Sequence, residues 1–186
     1  MNLAHIKCPS MLLGALCTVQ TVCLSKLAAA FDNRAASESS FRRFQRFLAQ
    51  MVLDLDAVAG YLKSRIPVDR PYTLTMDRTN WKFGDVNINA LVLGIAYAHM
   101  SFPILFRLLP KRGNSNFKER INIMERFIRL FGRDSIKCLV ADREFVGNKW
   151  FKWLNDNAIQ YNIRIRDNFW VEDPRAGRKE GTEKVL

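Results

Sequence analysis

The stretch TLTMDRTNW, residues 73–81, decides the predicted fold. Polar and apolar side chains alternate at its start, which predicts a β-strand over 72–77. Asp77 ends that strand by prediction, and a run of polar residues follows it. A single aspartate after a strand is often only a turn or cap residue. A functional interpretation therefore needs a second feature close to Asp77.

The hydrophobic pattern of the rest of the chain predicts a mixed sheet. Two further strands follow the first in hairpin succession, and then helix, strand, helix and strand alternate. A right-handed crossover returns the fourth strand parallel to the first and beside it. This order is that of an α/β protein with a ribonuclease-H-like mixed sheet. The predicted elements are 72–77, 86–98, 101–109, 114–132, 135–142, 147–157 and 159–167.

Asp142 is the second feature, because it ends the fourth predicted strand. Neighbouring strands that end together place Asp77 and Asp142 side by side. Two adjacent carboxylates repel, so a cation must offset their charge or one of them stays protonated. Magnesium suits such a pair and completes its shell with phosphate, and two ions can catalyse phosphodiester chemistry. A phosphatase that uses a nucleophilic aspartate is excluded, because it needs a second aspartate at the position of Thr79.

The charge of the chain favours a polyanionic partner. Lysine and arginine outnumber aspartate and glutamate by 29 to 18, which gives a net charge of +11. This excess points to nucleic acid first and to an anionic membrane second, with a generic basic surface as the alternative. The hydrophobic fraction of 48% excludes a disordered chain. The four cysteines have no metal-ligand or disulfide spacing, which suits a reducing cytoplasm.

Two segments are apolar enough that a signal peptide or a membrane-spanning segment must be considered. Residues 11–31 contain Gln20 and Lys26, and their leucines fit a helical stripe. Residues 88–110 contain Pro103 and Arg107, which are costly inside a bilayer. A helix and two buried strands fit these segments better, so no membrane association is expected.

The first third of the chain is predicted to be helical. Residues 10–66 have no strong strand signal, and Asp32–Asn33 marks a break. Within SESSFRRFQRFL (37–48) one predicted face carries apolar side chains: Phe41, Phe44, Phe47 and Leu48. The other face carries Arg42, Arg43 and Arg46, which could contact DNA phosphates or form a solvated helix face. We expect a helical DNA-binding region at 1–70, a ribonuclease-H-like core at 71–171, and an insertion start or disordered tail at 172–186.

Two acidic blocks carry a family resemblance. TLTMDRTNWKFGDVNINALVLGIAY (73–97) and CLVADREFVGNKWFKWL (138–154) resemble the first two blocks of the DDE transposases of bacterial insertion sequences, of the insertion-sequence-four type. TVCLSKLAAAF (21–31) and SSFRRFQRFL (39–48) are similar to the helical region of that group. The resemblance extends from about position 14 to about position 171.

The resemblance implies an enzyme that cuts double-stranded DNA at transposon ends and joins the freed 3′ hydroxyl to a target. It implies that Asp77 and Asp142 bind Mg²⁺, for which Mn²⁺ substitutes, in a two-metal site. Its complete form would be a cytoplasmic homo-oligomer that binds terminal repeats and target DNA.

One part of the family pattern is missing. The third acid, a glutamate in a tyrosine–arginine–glutamate–lysine block beyond the fifth strand, does not occur before Leu186. Glu172 follows the fifth strand too closely, and Glu144 is expected to be a structural neighbour. The chain is therefore expected to be a C-terminally truncated transposase. The alternatives are an inactive DNA-binding or inhibitory fragment and a remnant without function.

Several other side chains have two open interpretations. Arg78 and Arg143 follow the two aspartates and could clamp phosphate or form salt bridges. Trp81 could stack on a base or lie at the core edge. A basic cluster near a helix start is a further candidate for DNA contact; it contains Lys111, Arg112, Lys118 and Arg120. His5 and His99 are interpreted as incidental.

Overall fold

The chain folds into two compact units, 1–53 and 54–186. A computed structural model describes residues 3–31, 37–165, 170–173 and 178–181. The boundary lies before the helix at 55–65, whereas the sequence predicted it at 70, because that helix packs against the sheet of the second unit. The predicted break at Asp32–Asn33 lies outside the described residues.

The first unit is helical, as predicted. Its helices are α1 (Leu3–Val19), α2 (Leu24–Ala29) and α3 (Ser37–Gln50). Phe44 is fully buried and meets Phe31 edge to face, with ring centroids 4.4 Å apart, a favourable aromatic geometry. Phe41 and Phe47 pack beside them. Leu48 was predicted on the same face but is 47% exposed, because it lies at the margin of the apolar stripe.

The second unit contains the predicted succession of strands and helices. It begins with α4 (Leu55–Arg65), β1 (Tyr72–Phe83), β2 (Val86–Tyr97), β3 (Met100–Leu108) and α5 (Phe117–Phe131). It continues with β4 (Ile136–Ala141), α6 (Asn148–Asp156), β5 (Tyr161–Ile163), β6 (Trp170–Asp173) and β7 (Arg178–Gly181). Within the expected insertion or tail at 172–186, the described residues 172–173 and 178–181 have strand structure, since β6 and β7 pair antiparallel.

The five-stranded sheet has the order β3-β2-β1-β4-β5. β1 to β3 form an antiparallel meander, β4 returns parallel to β1, and β5 pairs parallel with β4. This is the ribonuclease-H-like mixed sheet that the sequence predicted. One consequence of this order matters most for function: β1 is central and β4 is its direct neighbour.

One face of the sheet forms the core. Leu74 and Met76 of β1 point to it and are almost completely buried, together with Phe127 of α5 and Trp150 and Leu154 of α6. Burying one such large side chain contributes about 1.5–3 kcal/mol. The alternate residues of β1 lie on the opposite face, and there Asp77 is exposed. The alternation of the strand therefore separates core residues from candidate site residues.

Two helices of this unit have side-chain N-caps. Asn116 and Glu119 form a capping box at α5, in which each side chain accepts from the backbone N–H of the other residue. Asp54 accepts from the N–H groups of Asp56 and Ala57 at α4. Both caps fix where the chain turns from loop into helix. Within the described residues no helix is long and apolar enough to cross a membrane.

Asp56 joins α4 to α5 and makes the stability of the second unit depend on pH. Its carboxylate accepts from Arg126 at 2.6 Å and from Arg129 at 3.2 Å. The hydrogen bond from Arg126 is the main reason why the pKa of Asp56 is lowered. A lowered pKa in the folded state means that the stabilisation is present above the usual aspartate range and is lost as pH falls through the folded value.

We therefore expect Asp56→Asn to lower the urea midpoint of the second unit at neutral pH. The deficit should shrink as pH falls below the usual aspartate pKa of about 3.9. Tryptophan fluorescence provides the measurement, because all four tryptophans lie in this unit. Asp69→Asn, at an exposed position, is the control and should show no such pH dependence. A deficit that stays constant at acid pH would contradict the prediction.

Candidate active site

Asp77 and Asp142 lie next to each other across the β1–β4 pair. Met76 pairs with Ala141, so the next position on each strand places the two aspartates side by side. Both are exposed. The strand register thus agrees with the sequence-based prediction that Asp77 and Asp142 are adjacent. The prediction that Asp77 ends its strand is wrong, because β1 continues to Phe83 through its pairing with β2.

Local backbone hydrogen bonds fix the position of each aspartate. Oδ1 of Asp77 accepts from the N–H of Arg78 at 2.7 Å. The carbonyl of Asp142 accepts from the N–H of Phe145 at 3.0 Å, which closes a short 3-10 turn. Phe145 is completely buried, so this turn is anchored in the core. The backbone of Asp142 is therefore held directly beyond β4.

The two carboxylates provide a donor set that fits a hard divalent cation. Magnesium uses one or two carboxylates and keeps water or phosphate as its other ligands, and manganese accepts the same oxygen donors. Among the described side chains no group of three His, Cys, Asp or Glu residues could hold a metal ion. Asp77 and Asp142 thus fit one shared ion with an open shell, and a full protein cage is absent from the described part.

A cleft of about 580 Å³ opens beside Asp142. Its wall includes the carboxyl end of β4 and, from the β5 side, Asn162 and Arg164. The N–H of Arg164 donates to the carbonyl of Ala141 at 3.1 Å, so its backbone is held against β4. An exposed guanidinium here favours an anionic ligand such as phosphate. The alternating basic residues predicted for the fifth strand were the only sequence signal for Arg164.

Arg78 is engaged inside the protein. Its guanidinium donates to both oxygens of Glu144, at 3.1 Å from Nε and 3.1 Å from Nη2. The Arg78 side chain is 14% exposed and that of Glu144 is 22% exposed. Nη1 and Nη2 also reach the side-chain oxygens of Asn89 and Asn114 at 3.4 and 3.3 Å. The geometry therefore favours the salt-bridge interpretation of Arg78 over the phosphate clamp.

Asn89 is a part of this network that the sequence did not reveal. It is 1% exposed, and its amide donates to the carbonyls of Lys111 and Gly113 at 3.0 and 2.9 Å. Its oxygen accepts from Arg78. Asn89 thereby joins β1, β2 and the loop before α5, and Arg78 joins the same network to the turn after Asp142. We name this set of residues, Arg78, Asn89, Asn114 and Glu144, the Arg78 network.

The other basic candidates differ in their exposure and in whether they form ion pairs. Arg143 is exposed next to Asp142 and makes no hydrogen bond or ion pair with the described residues. Lys111 pairs with Glu119 at 2.9 Å. Burial raises the pKa of Glu119, but Lys111, the Asn116 N–H and Arg107 together lower it more. Arg112 is exposed.

Three arginines lie on α3 of the first unit. Arg42 pairs with Glu38 at 2.8 Å, and its side chain is 71% exposed. Arg43 is half-buried and Arg46 is exposed. Exposed pairs of this kind contribute little to stability, so Arg42 stays available to another anion.

Trp81 lies on the same face of β1 as Asp77, four residues further along. Its side chain is 47% exposed and pairs across the sheet with Ile88. It is therefore outside the core, and the stacking interpretation remains compatible with its position. His99 lies in the tight turn between β2 and β3 with a positive φ of 63°, which gives it a turn role.

Comparisons with known proteins give a distant similarity. No protein-family model matches the chain, and no curated protein matches it. The catalytic core domain of HTLV-2 integrase, solved as a dimer with magnesium, is 14% identical with a TM-score of 0.40, over 50% of this chain and 61% of that one. The simian T-cell lymphotropic virus intasome, solved with PP2A regulatory subunit B56 gamma, is 14% identical with a TM-score of 0.42, over 74% of this chain and 46% of that one. The matched regions thus span less than two thirds of those chains.

Proposed function

We propose that this chain carries the metal-binding part of a DNA strand-transfer site, as in DDE transposases of the insertion-sequence-four type. The observation that carries the proposal is the placement of Asp77 beside Asp142 across β1 and β4. These aspartates stand in the two sequence blocks, DRTNW and DREF, that resemble the family. The substrate is the phosphodiester backbone of double-stranded DNA, which the charge of +11 favours.

In the proposed site, residues of the chain would bind the metal ion and position the DNA phosphate. Asp77 and Asp142 would bind Mg²⁺ or Mn²⁺ between them. The bound metal would supply activation of the attacking hydroxyl and charge stabilisation at the departing oxygen. Arg164 and Arg143 flank the aspartates with exposed positive charge and would position the phosphate. The Arg78 network holds the backbone on both sides of the pair.

A second function, DNA binding without cleavage, is favoured by one specific observation. Among the described residues no third acid joins Asp77 and Asp142 in a group that could hold a metal ion, and Glu144 is paired with Arg78, whereas the family resemblance implies three metal-binding acids. A site with two carboxylates would bind a metal ion and phosphate without forming the complete catalytic arrangement. Such a chain would occupy transposon ends or enter inactive homo-oligomers and inhibit them. We propose this behaviour for the 186-residue chain by itself.

The two functions are separated by a binding and nicking experiment on the purified chain. Supercoiled plasmid DNA is incubated with the chain in Mg²⁺, in Mn²⁺ or in EDTA, and gel mobility and nicked circles are measured. We expect a shifted band in all three and no nicked circles. Metal-dependent nicking that Asp77→Ala abolishes would overturn the binding-only function and support the enzyme. If DNA is not bound at all, both functions fail.

A further inference from the structure

A second cleft, of about 500 Å³, opens at the N-terminal end of α6. Its wall includes Arg120 of α5 and four consecutive residues at the start of α6: Gly147, Asn148, Lys149 and Trp150. No aspartate or glutamate lines it. The proposed function uses none of these residues.

Arg120 is a buried cation that no carboxylate pairs with among the described side chains. It is 5% exposed, and its hydrogen bonds go to neutral acceptors: the hydroxyl and carbonyl of Ser115 and the carbonyl of Glu144. The carboxylates of Glu144 and Glu119 act on it from a distance, but they pair with Arg78 and Lys111. Burial lowers the pKa of Arg120. A buried charge normally has a counterion, and the cleft is where one would fit.

The other groups of the cleft are hydrogen-bond donors. α6 has nine residues, no side-chain N-cap bond at Gly147 and no acidic residue in its first turn. The first-turn N–H groups of a helix favour an anion. Lys149 adds an exposed ammonium, which lies 5.3 Å from the ring centroid of Phe117.

Trp150 supplies an independent sign of a missing acceptor. Its side chain is completely buried and stacks on Trp153, with centroids 5.5 Å apart. Its indole Nε1–H has no hydrogen-bond partner, and a buried donor left unpaired costs about 1–3 kcal/mol. Trp150 lines the same cleft as Arg120, so a residue whose buried donor has no acceptor and a buried cation without a carboxylate partner both border it.

We propose that the cleft formed by Arg120, Lys149, Trp150 and the N-terminus of α6 binds a phosphate group. A phosphate would accept from the helix N–H groups and balance the charge of Arg120. The phosphate could belong to a free phosphate ion or to a DNA backbone. The second source rests on the proposed function, and there the cleft would hold the strand away from Asp77 and Asp142.

Asn148→Asp is the most informative variant. Asn148 is exposed at the first position of α6, where a negative charge stabilises a helix through its dipole. The variant should fold with equal or higher stability and yet repel phosphate. Lys149→Gln removes one donor, and Lys152→Gln on the same helix is the matched control, because Lys152 is exposed and does not line the cleft.

The measurement is titration with inorganic phosphate at constant ionic strength, followed by NMR at the indole N–H of Trp150. We expect this signal to shift in the wild type and in Lys152→Gln. Affinity should fall about tenfold in Lys149→Gln, which corresponds to about 1.4 kcal/mol, and binding should disappear in Asn148→Asp. No shift in the wild type, or equal losses in Lys149→Gln and Lys152→Gln, would overturn the proposal.

A second arm distinguishes the two sources of phosphate. The dinucleotide TpT, whose only phosphate is a diester, and duplex DNA are titrated into the same variants. A Trp150 shift with DNA that Asn148→Asp abolishes identifies the backbone as the source. A shift with inorganic phosphate alone identifies the free ion as the ligand and still supports the cleft as a phosphate site. In that case, absence of DNA binding would overturn the proposed function, whereas the phosphate site at the N-terminus of α6 would still be supported.

Discussion

Asp77→Asn is expected to abolish the response of this chain to divalent metal and, without metal, to leave the chain at least as stable as the wild type. Asp77 and Asp142 occupy adjacent positions, so their negative charges repel until a cation lies between them. Asparagine keeps an oxygen that can accept from the N–H of Arg78, as Asp77 does. The substitution therefore removes charge with little change of shape. Asp142→Asn should give the same two effects.

The measurement is the urea midpoint of the second unit with and without Mn²⁺. A ligand that binds only the folded state raises the midpoint by mass action. We expect Mn²⁺ and Mg²⁺ to raise it in the wild type, and we expect either asparagine variant to weaken binding by at least about a hundredfold, since even an outer-shell change costs 10–100-fold. Asp85→Asn, in the exposed turn after β1, should respond like the wild type.

Two results would contradict this prediction. An undiminished Mn²⁺ response in Asp77→Asn would remove Asp77 from the metal site. A clear loss of stability in the metal-free variant would mean that Asp77 has a structural role, and the repulsion argument would then fail.

The strand order and the adjacency of the two aspartates could be predicted from the sequence because both follow from local patterns. Alternating apolar residues mark the strands, and the crossover rule then places the fourth strand beside the first. The end of β1 could not be predicted in the same way. Residues 79–82 are all exposed, and the strand structure of 78–83 depends on pairing with β2 across the turn at Gly84–Asp85.

The roles of individual charges were less predictable because their partners are distant in sequence. Arg78 lies 66 positions from Glu144, and Asp56 lies 70 from Arg126. A sequence pattern gives the charge of Arg78 but not which anion it meets. The same limit explains Arg164, whose position beside Asp142 depends on the register of β5 against β4. The boundary between the units was misplaced for the related reason that α4 is joined to α5 by Asp56.

The Arg78 network is expected to be a large local contributor to the stability of the second unit. Arg78→Met would leave Glu144 mostly buried without its cation and would leave Asn89 and Asn114 short of a donor. Breaking one partner of such a pair costs about 3–5 kcal/mol when burial is complete. With side chains 14% and 22% exposed, we expect about 3 kcal/mol. Arg129→Met, which breaks an exposed ion pair with Asp56, should cost much less stability than Arg78→Met.

A double-mutant cycle tests whether the pair itself is responsible. Glu144→Leu in the Arg78→Met background removes the uncompensated charge, so the double variant should be less destabilised than the sum of the single variants, by about 1–3 kcal/mol. Arg78→Lys keeps the charge but loses the two-pronged geometry, and it should recover only part of the stability. Urea unfolding followed by tryptophan fluorescence measures the four chains of the cycle and Arg78→Lys. Additive effects would show that Arg78 and Glu144 act separately.

The same variants test whether the stability of the Arg78 network affects the proposed metal site. Glu144 lies in the short turn that is closed by the hydrogen bond from the N–H of Phe145 to the carbonyl of Asp142. Loss of the ion pair with Arg78 should therefore loosen the backbone that positions Asp142. We therefore expect Arg78→Met to weaken Mn²⁺ binding even under conditions where the chain is fully folded, and Arg78→Lys to restore part of the affinity. Arg129→Met should leave Mn²⁺ binding unchanged. If Arg78→Met destabilises the unit but binds Mn²⁺ like the wild type, the network supports the fold alone, and Asp142 is positioned by the buried Phe145 without it.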